Sequence, residues 1–454
     1  MLLDFVDRRS ELDGLNEMYE KEGSGLLILY GRRRIGKTTL AKRFAEDKPD
    51  FYFLARRQDF SLELKRMREE FSEQHDVFIP EPRDLDELFD DMLEKIDQKN
   101  KFVFIIDEFP YWIEENKEIL SEMQHLWDEK LQDKNIFLIL TGSSIGMMES
   151  EVLNRKSPLY GRRTGQLKLT DIPLKNINDF LPNYSKEDLI RTYGAVGGVP
   201  FYLKEFNDEK GFYENVKATF LTFLNRLNIL HEEAEILLRE ELRKPNVYFN
   251  IIKAIIDGAT KTNEISNQSK VSITNVNKYL KVLERLKIIK REHPITEPAK
   301  KKNFHYRVID SYFRFWLSFV YPYQGKIEDD PDKILENVRS EYDRYMGPVF
   351  EEVCKNHVRK DLDYEDVGRW WFREDEIDIV GLNEKESRIL FGECKWTNEE
   401  VGPRELEHLR EKAEKVRWKN DKRDERFALF SRSGFSEELK DQENLILVEL
   451  EEMI

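Results

Sequence analysis

Short apolar runs alternate with amphipathic stretches through the first part of the chain. Strands are predicted at Leu26–Tyr30, Phe51–Leu54, Phe102–Ile106, Ile136–Leu140 and Gln166–Leu169. Apolar residues at helical spacing separate most of them, over Thr38–Glu46, Ser61–Ser72, Leu85–Ile96 and Glu114–Lys130. The run ending at Ile106 is apolar at every position, as a parallel central strand covered on both faces requires. Strand–helix alternation predicts an α/β unit with a parallel sheet and helices on both sides. Its ligand site would lie at the carboxyl ends of the strands.

The pattern then changes. From Leu189 to about Leu242 it is helical, interrupted by Gly197-Gly198-Val199-Pro200. This predicts a core over residues 1–190 followed by a helical lid over 191–244. Pro245, in Lys244-Pro245-Asn246, stops a helix and marks the next boundary. Residues 245–310 read as helices Tyr248–Ile256, Lys261–Asn267 and one from Ser272, its candidate cap, to about Leu286, closed by strands Ile288–Arg291 and Phe304–Val308. On the third helix Val276, Tyr279, Leu280, Leu283 and Leu286 recur at helical spacing, with Lys278, Lys281 and Arg285 opposite. This is the shape of a winged helix-turn-helix, with Lys300-Lys301-Lys302 near the wing tip. Two readings stand: a DNA reader with its third helix in the major groove, or an interaction or lid module. A mostly helical, aromatic-rich connector covers 311–345. A last mixed region, 346–454, begins near Met346-Gly347-Pro348.

A chain of 454 residues has room for two to four domains. Its net charge of -16 excludes a whole-surface nucleic-acid binder, so any DNA contact must come from a local basic patch. The two cysteines, Cys354 and Cys394, lack zinc-type spacing and suit a reducing cytoplasm. The first residues lack the long apolar core of a signal peptide, and every apolar run is too short to span a bilayer. A cytoplasmic protein with no membrane association is expected.

The most specific chemistry lies after the first strand. Gly31-Arg32-Arg33-Arg34-Ile35-Gly36-Lys37-Thr38 is a G-x-x-x-x-G-K-T phosphate loop, placed between a strand and a helix as such a loop requires. Gly31 and Gly36 let the backbone curl its N–H groups toward a polyphosphate, and the helix start adds its positive end. Lys37 would reach the β and γ phosphates, Thr38 would ligate Mg²⁺, and Thr39 would join the nucleotide-binding set. The strand at Phe102 closes with Asp107-Glu108. Asp107 would hold the Mg²⁺ shell and Glu108 would orient the attacking water. ATP and Mg²⁺ are therefore the expected substrate and cofactor, and Glu108 points to hydrolysis rather than binding alone. Ser143, within Thr141-Gly142-Ser143-Ser144, is either a γ-phosphate sensor or an ordinary helix cap. Arg162 and Arg163 are either an arginine finger or a surface pair on a turn. The three loop arginines are assigned no catalytic role, because a charge run is usually a solvated face.

A second constellation lies near the carboxyl end. Glu376–Val380 and Ile389–Trp396 read as successive strands. Glu393 and Lys395 share a face, and Asp378 can approach them across the ladder. Two carboxylates and a lysine can hold Mg²⁺, activate water and stabilise developing charge for phosphodiester cleavage. Glu351, on a predicted helix Val349–Val358, would add a metal ligand. The plainer reading is a surface hairpin with ordinary salt bridges.

Taken together, Gly31–Thr38, Ile105–Glu108, Leu140–Ser144, Tyr160–Thr164, Gly197–Leu203, Tyr312–Phe319 and Gly392–Trp396 resemble an archaeal-type AAA+ ATPase family also found in bacteria. Its members carry a C-terminal domain similar to PD-(D/E)XK nucleases, an α/β restriction-endonuclease-like fold. The resemblance implies Lys37 and Thr38 for nucleotide and metal, Asp107 for Mg²⁺, Glu108 for water, and a polar sensor in Thr141–Ser144. It implies an arginine finger at Arg162 or Arg163 acting across a homo-oligomer. It maps the nuclease-like motif onto Glu351, Asp378, Glu393 and Lys395. The expected function is ATP hydrolysis coupled to action on DNA, with Mg²⁺-dependent cleavage by the C-terminal domain. The alternative is an ATP-dependent regulatory switch whose C-terminal domain only binds DNA or protein.

Overall fold

The computed structural model describes residues 6–97, 99–222, 229–242, 244–298, 303–327 and 329–454. The lysines expected at the wing tip, Lys300, Lys301 and Lys302, lie outside the described residues. The chain divides into two compact units, one formed by Met1–Asp171 with Val199–Phe201, the other by Ile172–Gly198 with Tyr202–Ile454.

The first unit is built on parallel strands β1 (Gly25–Tyr30), β2 (Asp50–Leu54), β3 (Phe102–Asp107), β4 (Ile136–Gly142) and β5 (Gly165–Lys168), in the order β2-β3-β4-β1-β5. The three central strands are buried at every position and the two outer strands are not, as a sheet covered on both faces dictates. Helices α1 (Arg9–Glu20) and α2 (Lys37–Ala45) cover one face through Leu15, Leu40 and Phe44. Helices α3 (Phe60–His75) and α4 (Leu85–Lys95) cover the other through Met67, Phe71 and Phe89. The helix expected over Glu114–Lys130 is broken. Pro110 opens α5 (Pro110–Glu115), Asn116 leaves the helical region at φ -136°, and α6 (Ile119–Leu126) starts afresh. The Asn116 side-chain oxygen accepts the N–H of Glu118 at 2.9 Å, a local bond that competes with helix continuation.

The second unit begins with helix α7 (Lys186–Val196), capped by Ser185. It ends at Gly197-Gly198, where Gly198 lies hard against Ile172. The Ile172 N–H donates to the Gly198 carbonyl at 2.7 Å, and a Cβ on Gly198 would stand 1.9 Å from the Ile172 carbonyl oxygen. That atom is backbone and cannot swing away. Gly198→Ala is expected to cost about 2–3 kcal/mol, read as a lower thermal unfolding midpoint by circular dichroism. Helix α8 (Ile229–Glu241) packs on an aromatic cluster, with Trp316 donating to the His231 carbonyl at 2.6 Å and Tyr312 to the Leu230 carbonyl at 2.6 Å.

Helices α9 (Pro245–Ile256), α10 (Thr262–Ser269) and α11 (Ile273–Arg285) follow, then an antiparallel pair, β6 (Ile289–Glu292) and β7 (His305–Val308). Val276, Leu280 and Leu283 of α11 are buried, while Lys278, Lys281 and Arg285 are exposed. Ser272 precedes α11, but its side chain makes no capping bond. The pair β6–β7 is tied to the C-terminal sheet: Ile295 N–H donates to the Arg369 carbonyl at 2.9 Å, Arg307 pairs with Glu376 at 2.8 Å, and His305 stacks on Trp371 at 4.4 Å.

Beyond the short helix α12 (Ser311–Phe315), a single 31-residue helix, α13 (Pro331–Asp361), runs straight through Met346-Gly347-Pro348. The expected helix Val349–Val358 is thus its second half. Pro348 removes one backbone donor, yet Met346, Val349, Phe350 and Val353 are buried around it, and that packing carries the helix past the gap. The final sheet contains β8 (Asp366–Phe372), β9 (Asp375–Asn383), β10 (Arg388–Lys395), β11 (Asp424–Ser431) and β12 (Leu445–Glu449), ordered β12-β11-β10-β9-β8. It is mixed: β8–β9 and β9–β10 are antiparallel, while β10–β11 and β11–β12 are parallel. Helix α14 (Pro403–Ala413) packs on it through Leu406, Leu409 and Ala413.

Candidate nucleotide site and carboxylate cluster

The loop between β1 and α2 has the conformation its sequence predicts. Gly36 sits at φ +95° immediately before α2. Nothing stands within 4 Å of where its Cβ would be, so backbone conformation, not space, is what requires glycine there. Gly31 is needed for the other reason: its Cβ would lie 2.5 Å from the Leu169 carbonyl oxygen. Lys37 is buried at 5% exposure, with its ammonium donating to the Arg32 carbonyl at 3.1 Å inside the curl. Thr39, one position past Thr38, is exposed on α2.

Asp107, at the end of β3, gathers hydroxyls from three elements. Thr38 donates to its Oδ2 at 2.6 Å, Tyr52 donates to the same oxygen at 2.8 Å, and Thr141 donates to Oδ1. Strand order explains this, since β2 and β4 flank β3. Tyr52 escaped the sequence reading because only the sheet's neighbour order brings it to Asp107. Burial and then the adjacent Asp107 charge push the Tyr52 phenol well above its ordinary value, so it stays a donor. Glu108 lies in the left-handed region at φ +57°, a costly conformation for a non-glycine residue and one that concentrates at functional sites. Its carboxylate accepts from the Ser143 hydroxyl at 2.6 Å and from the Ser143 N–H at 3.1 Å. Ser143 therefore touches the residue expected to orient water.

A hydroxyl and a carboxylate side by side, Thr38 and Asp107, form a donor set that suits Mg²⁺, which keeps water and takes one or two carboxylates plus phosphate oxygens. When bound, the ion would neutralise charge on a phosphate. Tyr52→Phe is expected to weaken Mg²⁺-nucleotide binding by about tenfold or more, the worth of a hydrogen bond to a charged group, by calorimetry, without changing the fold.

The arginines are engaged. Arg162 makes a two-pronged ion pair with Asp128, at 2.9 and 2.8 Å. Arg163 lies over the Tyr160 ring at 4.5 Å and donates to the Leu153 carbonyl at 3.2 Å. Arg34 lies over the Phe201 ring at 4.1 Å.

In the second unit the structure brings Asp378, Glu393 and Lys395 together. The β9–β10 ladder ends at the pair Ile379 and Gly392, which sets Asp378 beside Glu393 and Cys394. Asp378 Oδ2 accepts the Cys394 N–H at 3.0 Å, and Lys395 donates to Glu393 Oε1 at 2.8 Å. Lys412 of α14, which the sequence reading missed, donates to Glu393 Oε2 at 3.3 Å. Burial, followed by the Glu393 charge, raises the Asp378 carboxyl to about 7. Burial would lower the Lys395 ammonium, but Glu393 and Asp378 outweigh it and hold it above its ordinary value.

Glu351 does not join this group. Its carboxylate pairs with Arg369, which also holds Glu376 at 2.6 Å. The expected three-carboxylate metal set is therefore not assembled, and among the described residues no group of three or more His, Cys, Asp or Glu side chains stands close enough to hold a metal. A pair of carboxylates, Asp378 and Glu393, is still a set that Mg²⁺ accepts when water fills the remaining positions.

The first unit's sheet, loop and acidic strand end define a P-loop ATPase. Residues 5–206 match the profile of an ATPase domain predominantly from Archaea, and residues 316–415 match one described as archaeal and bacterial proteins of unknown function. An uncharacterized protein of Methanocaldococcus jannaschii is 35% identical over 404 residues, spanning 86% of this chain and 87% of that one. An uncharacterized ATP-binding protein of the same organism is 50% identical over 44 residues, 10% of this chain and 75% of that one. Among solved structures, a Walker-type ATPase of Pyrococcus abyssi superposes with a TM-score of 0.52 at 20% identity, covering 69% of this chain and 96% of that one, a likeness of fold. The chain belongs to this archaeal-type ATPase family, with the ATPase domain first and the second matched domain toward the carboxyl end. It is an ATPase. Among the described residues no helix is long and apolar enough to cross a membrane.

Proposed function

We propose that this ATPase acts on DNA and that its C-terminal sheet is a Mg²⁺-dependent nuclease-like domain. The observation that carries the reading is the convergence of Asp378, Glu393 and Lys395 at the end of the β9–β10 ladder. Asp378 and Glu393 would hold the ion, and the chemistry it would supply there is polarisation of a phosphodiester and of water. Lys395 would stabilise the charge that develops. In the ATPase unit, Lys37 and Thr38 would hold phosphate and Mg²⁺, Asp107 would complete the ion's shell and Glu108 would orient water. Ser143, bonded to Glu108, would report the γ-phosphate to it.

DNA would be gripped by residues 245–310, read as a winged helix-turn-helix with α11 as the contacting helix. Its exposed Lys278, Lys281 and Arg285 form the local basic surface that a chain of net charge -16 needs for this task. An arginine finger in a homo-oligomer would require Arg162 to leave Asp128 or Arg163 to leave Tyr160.

One observation favours the alternative, a regulatory switch whose C-terminal domain only binds DNA or protein: Glu351 is spent on Arg369 rather than offered to a metal. Incubation with Mg²⁺ or Mn²⁺, ATP and linear, circular and single-stranded DNA separates the two. The nuclease reading expects metal-dependent cutting that Lys395→Met abolishes while ATP turnover continues. Intact DNA under every condition would leave the switch.

A further inference from the structure

Glu393 is held by two ammonium groups from two different elements. Lys395, on the same strand, takes Oε1 at 2.8 Å, and Lys412, in the last turn of α14, takes Oε2 at 3.3 Å. The glutamate is nearly buried, with its side chain 12% exposed, while the Lys412 side chain is 27% exposed. The alignment of Lys412 is specific. Lysines farther along have other partners on the same domain, Lys415 pairing with Asp375 at 2.8 Å and Lys419 with Glu384 at 2.6 Å. Helix α14 is pinned by Leu406, Leu409 and Ala413 in the core that also contains Phe391, two residues before Glu393. Lys412 is thus delivered to the cluster by packing rather than by a flexible loop.

We infer that Lys412 is a positioning residue that stands in for the metal: it neutralises Glu393 until a divalent cation displaces it. The inference rests on the metal-site reading of Asp378 and Glu393. A cation shared by those carboxylates would take a lone pair of a Glu393 oxygen, and each of those oxygens already faces an ammonium group whose like charge opposes the ion. The bond from Lys412 is the longer, and its side chain comes from a separate element, so it is the one to yield. Lys395 is fixed beside Glu393 by its own strand and stays. Once displaced, the Lys412 ammonium stands next to a new positive charge and is repelled from it. Its favourable partner is then an anion, and a nucleic-acid phosphate at the same site supplies one. Metal and polyanion binding thereby become mutually supportive, since each removes a cost the other would meet.

The test is Mn²⁺ titration by calorimetry on the full chain carrying Asp107→Asn, which silences the nucleotide-site carboxylate. Thr38→Ala replaces that background if Asp107→Asn lowers the melting temperature. Adding Lys412→Met is expected to tighten Mn²⁺ binding about tenfold, because a competing cation is gone. Lys412→Arg should return the affinity to near that of the parent, and Glu393→Gln should abolish binding. A merely structural lysine would leave affinity unchanged or weaken it. An unchanged or weaker affinity in Lys412→Met, with binding still lost in Glu393→Gln, overturns the stand-in role and leaves the metal site intact. Equal Mn²⁺ binding in the parent and in Glu393→Gln removes the metal site itself, and the stand-in role with it.

Discussion

Lys37→Ala is expected to lower ATP turnover by about 10²–10³-fold, the loss seen when one preorganised charge-stabilising donor is removed from a reaction centre. The side chain is buried at the start of α2, and its ammonium is held by the Arg32 carbonyl at 3.1 Å. In the proposed role its positive charge would meet the negative charge that shifts between the β and γ phosphates. Removing it leaves Gly36, Thr38 and the Asp107 hydroxyl cluster in place, so the fold and part of the nucleotide affinity should survive. Phosphate release under saturating ATP measures the effect, and circular dichroism verifies the fold. Arg43→Ala is the matched control: Arg43 is exposed on α2 and outside the phosphate loop, so its loss should change turnover by less than about twofold, as surface substitutions usually do. Turnover in Lys37→Ala within a few-fold of the parent protein would mean that hydrolysis occurs elsewhere.

What could be read from residues alone follows from how local each feature is. The phosphate loop was legible because strand, glycines, lysine and helix are consecutive, and Gly36 does adopt the positive φ its place requires. The strands at Leu26, Phe102 and Ile136 were legible because burial on both faces forces unbroken apolar runs. Tyr52 was not, since nothing near it in sequence says that β2 lies beside β3. Lys412 was hidden for the same reason: it is 19 positions from Glu393 and meets it only through the packing of α14. The break at Asn116 turns on one side-chain bond, which a hydrophobic pattern does not register. Glu351 shows the converse failure. It stood on the expected helix, but Arg369, from β8, took its carboxylate. Pro348 suggested a boundary, and tertiary packing overrode it.

Asp378→Ala should abolish metal-dependent cutting, a loss of at least about 10³-fold, while ATP turnover is spared because the nucleotide loop and Asp107 belong to the first unit. The pH dependence gives a sharper check. Burial and the neighbouring Glu393 raise the folded-state carboxyl to about 7, from its ordinary value of 3.8. A raised acid binds its proton more tightly when folded, so its stabilising contribution is complete below the unfolded value. That contribution is lost as pH climbs toward 7, and above it the chain carries a buried carboxylate beside a second one. Melting temperature should therefore fall between pH 5 and pH 8 more steeply in the parent protein than in Asp378→Asn. The variant should be the more stable of the two at pH 8, by about 2–4 °C for each kcal/mol recovered. Divalent metal should reverse the order, because the cation compensates the paired charges and the amide cannot. Below about pH 7 each ion bound must expel a proton, so Mn²⁺ affinity and cutting rate should rise with pH and level off above it. Cutting by Asp378→Ala at the parent rate, or melting curves that shift with pH identically in Asp378→Asn, would separate this carboxylate from both the chemistry and the strain assigned to it.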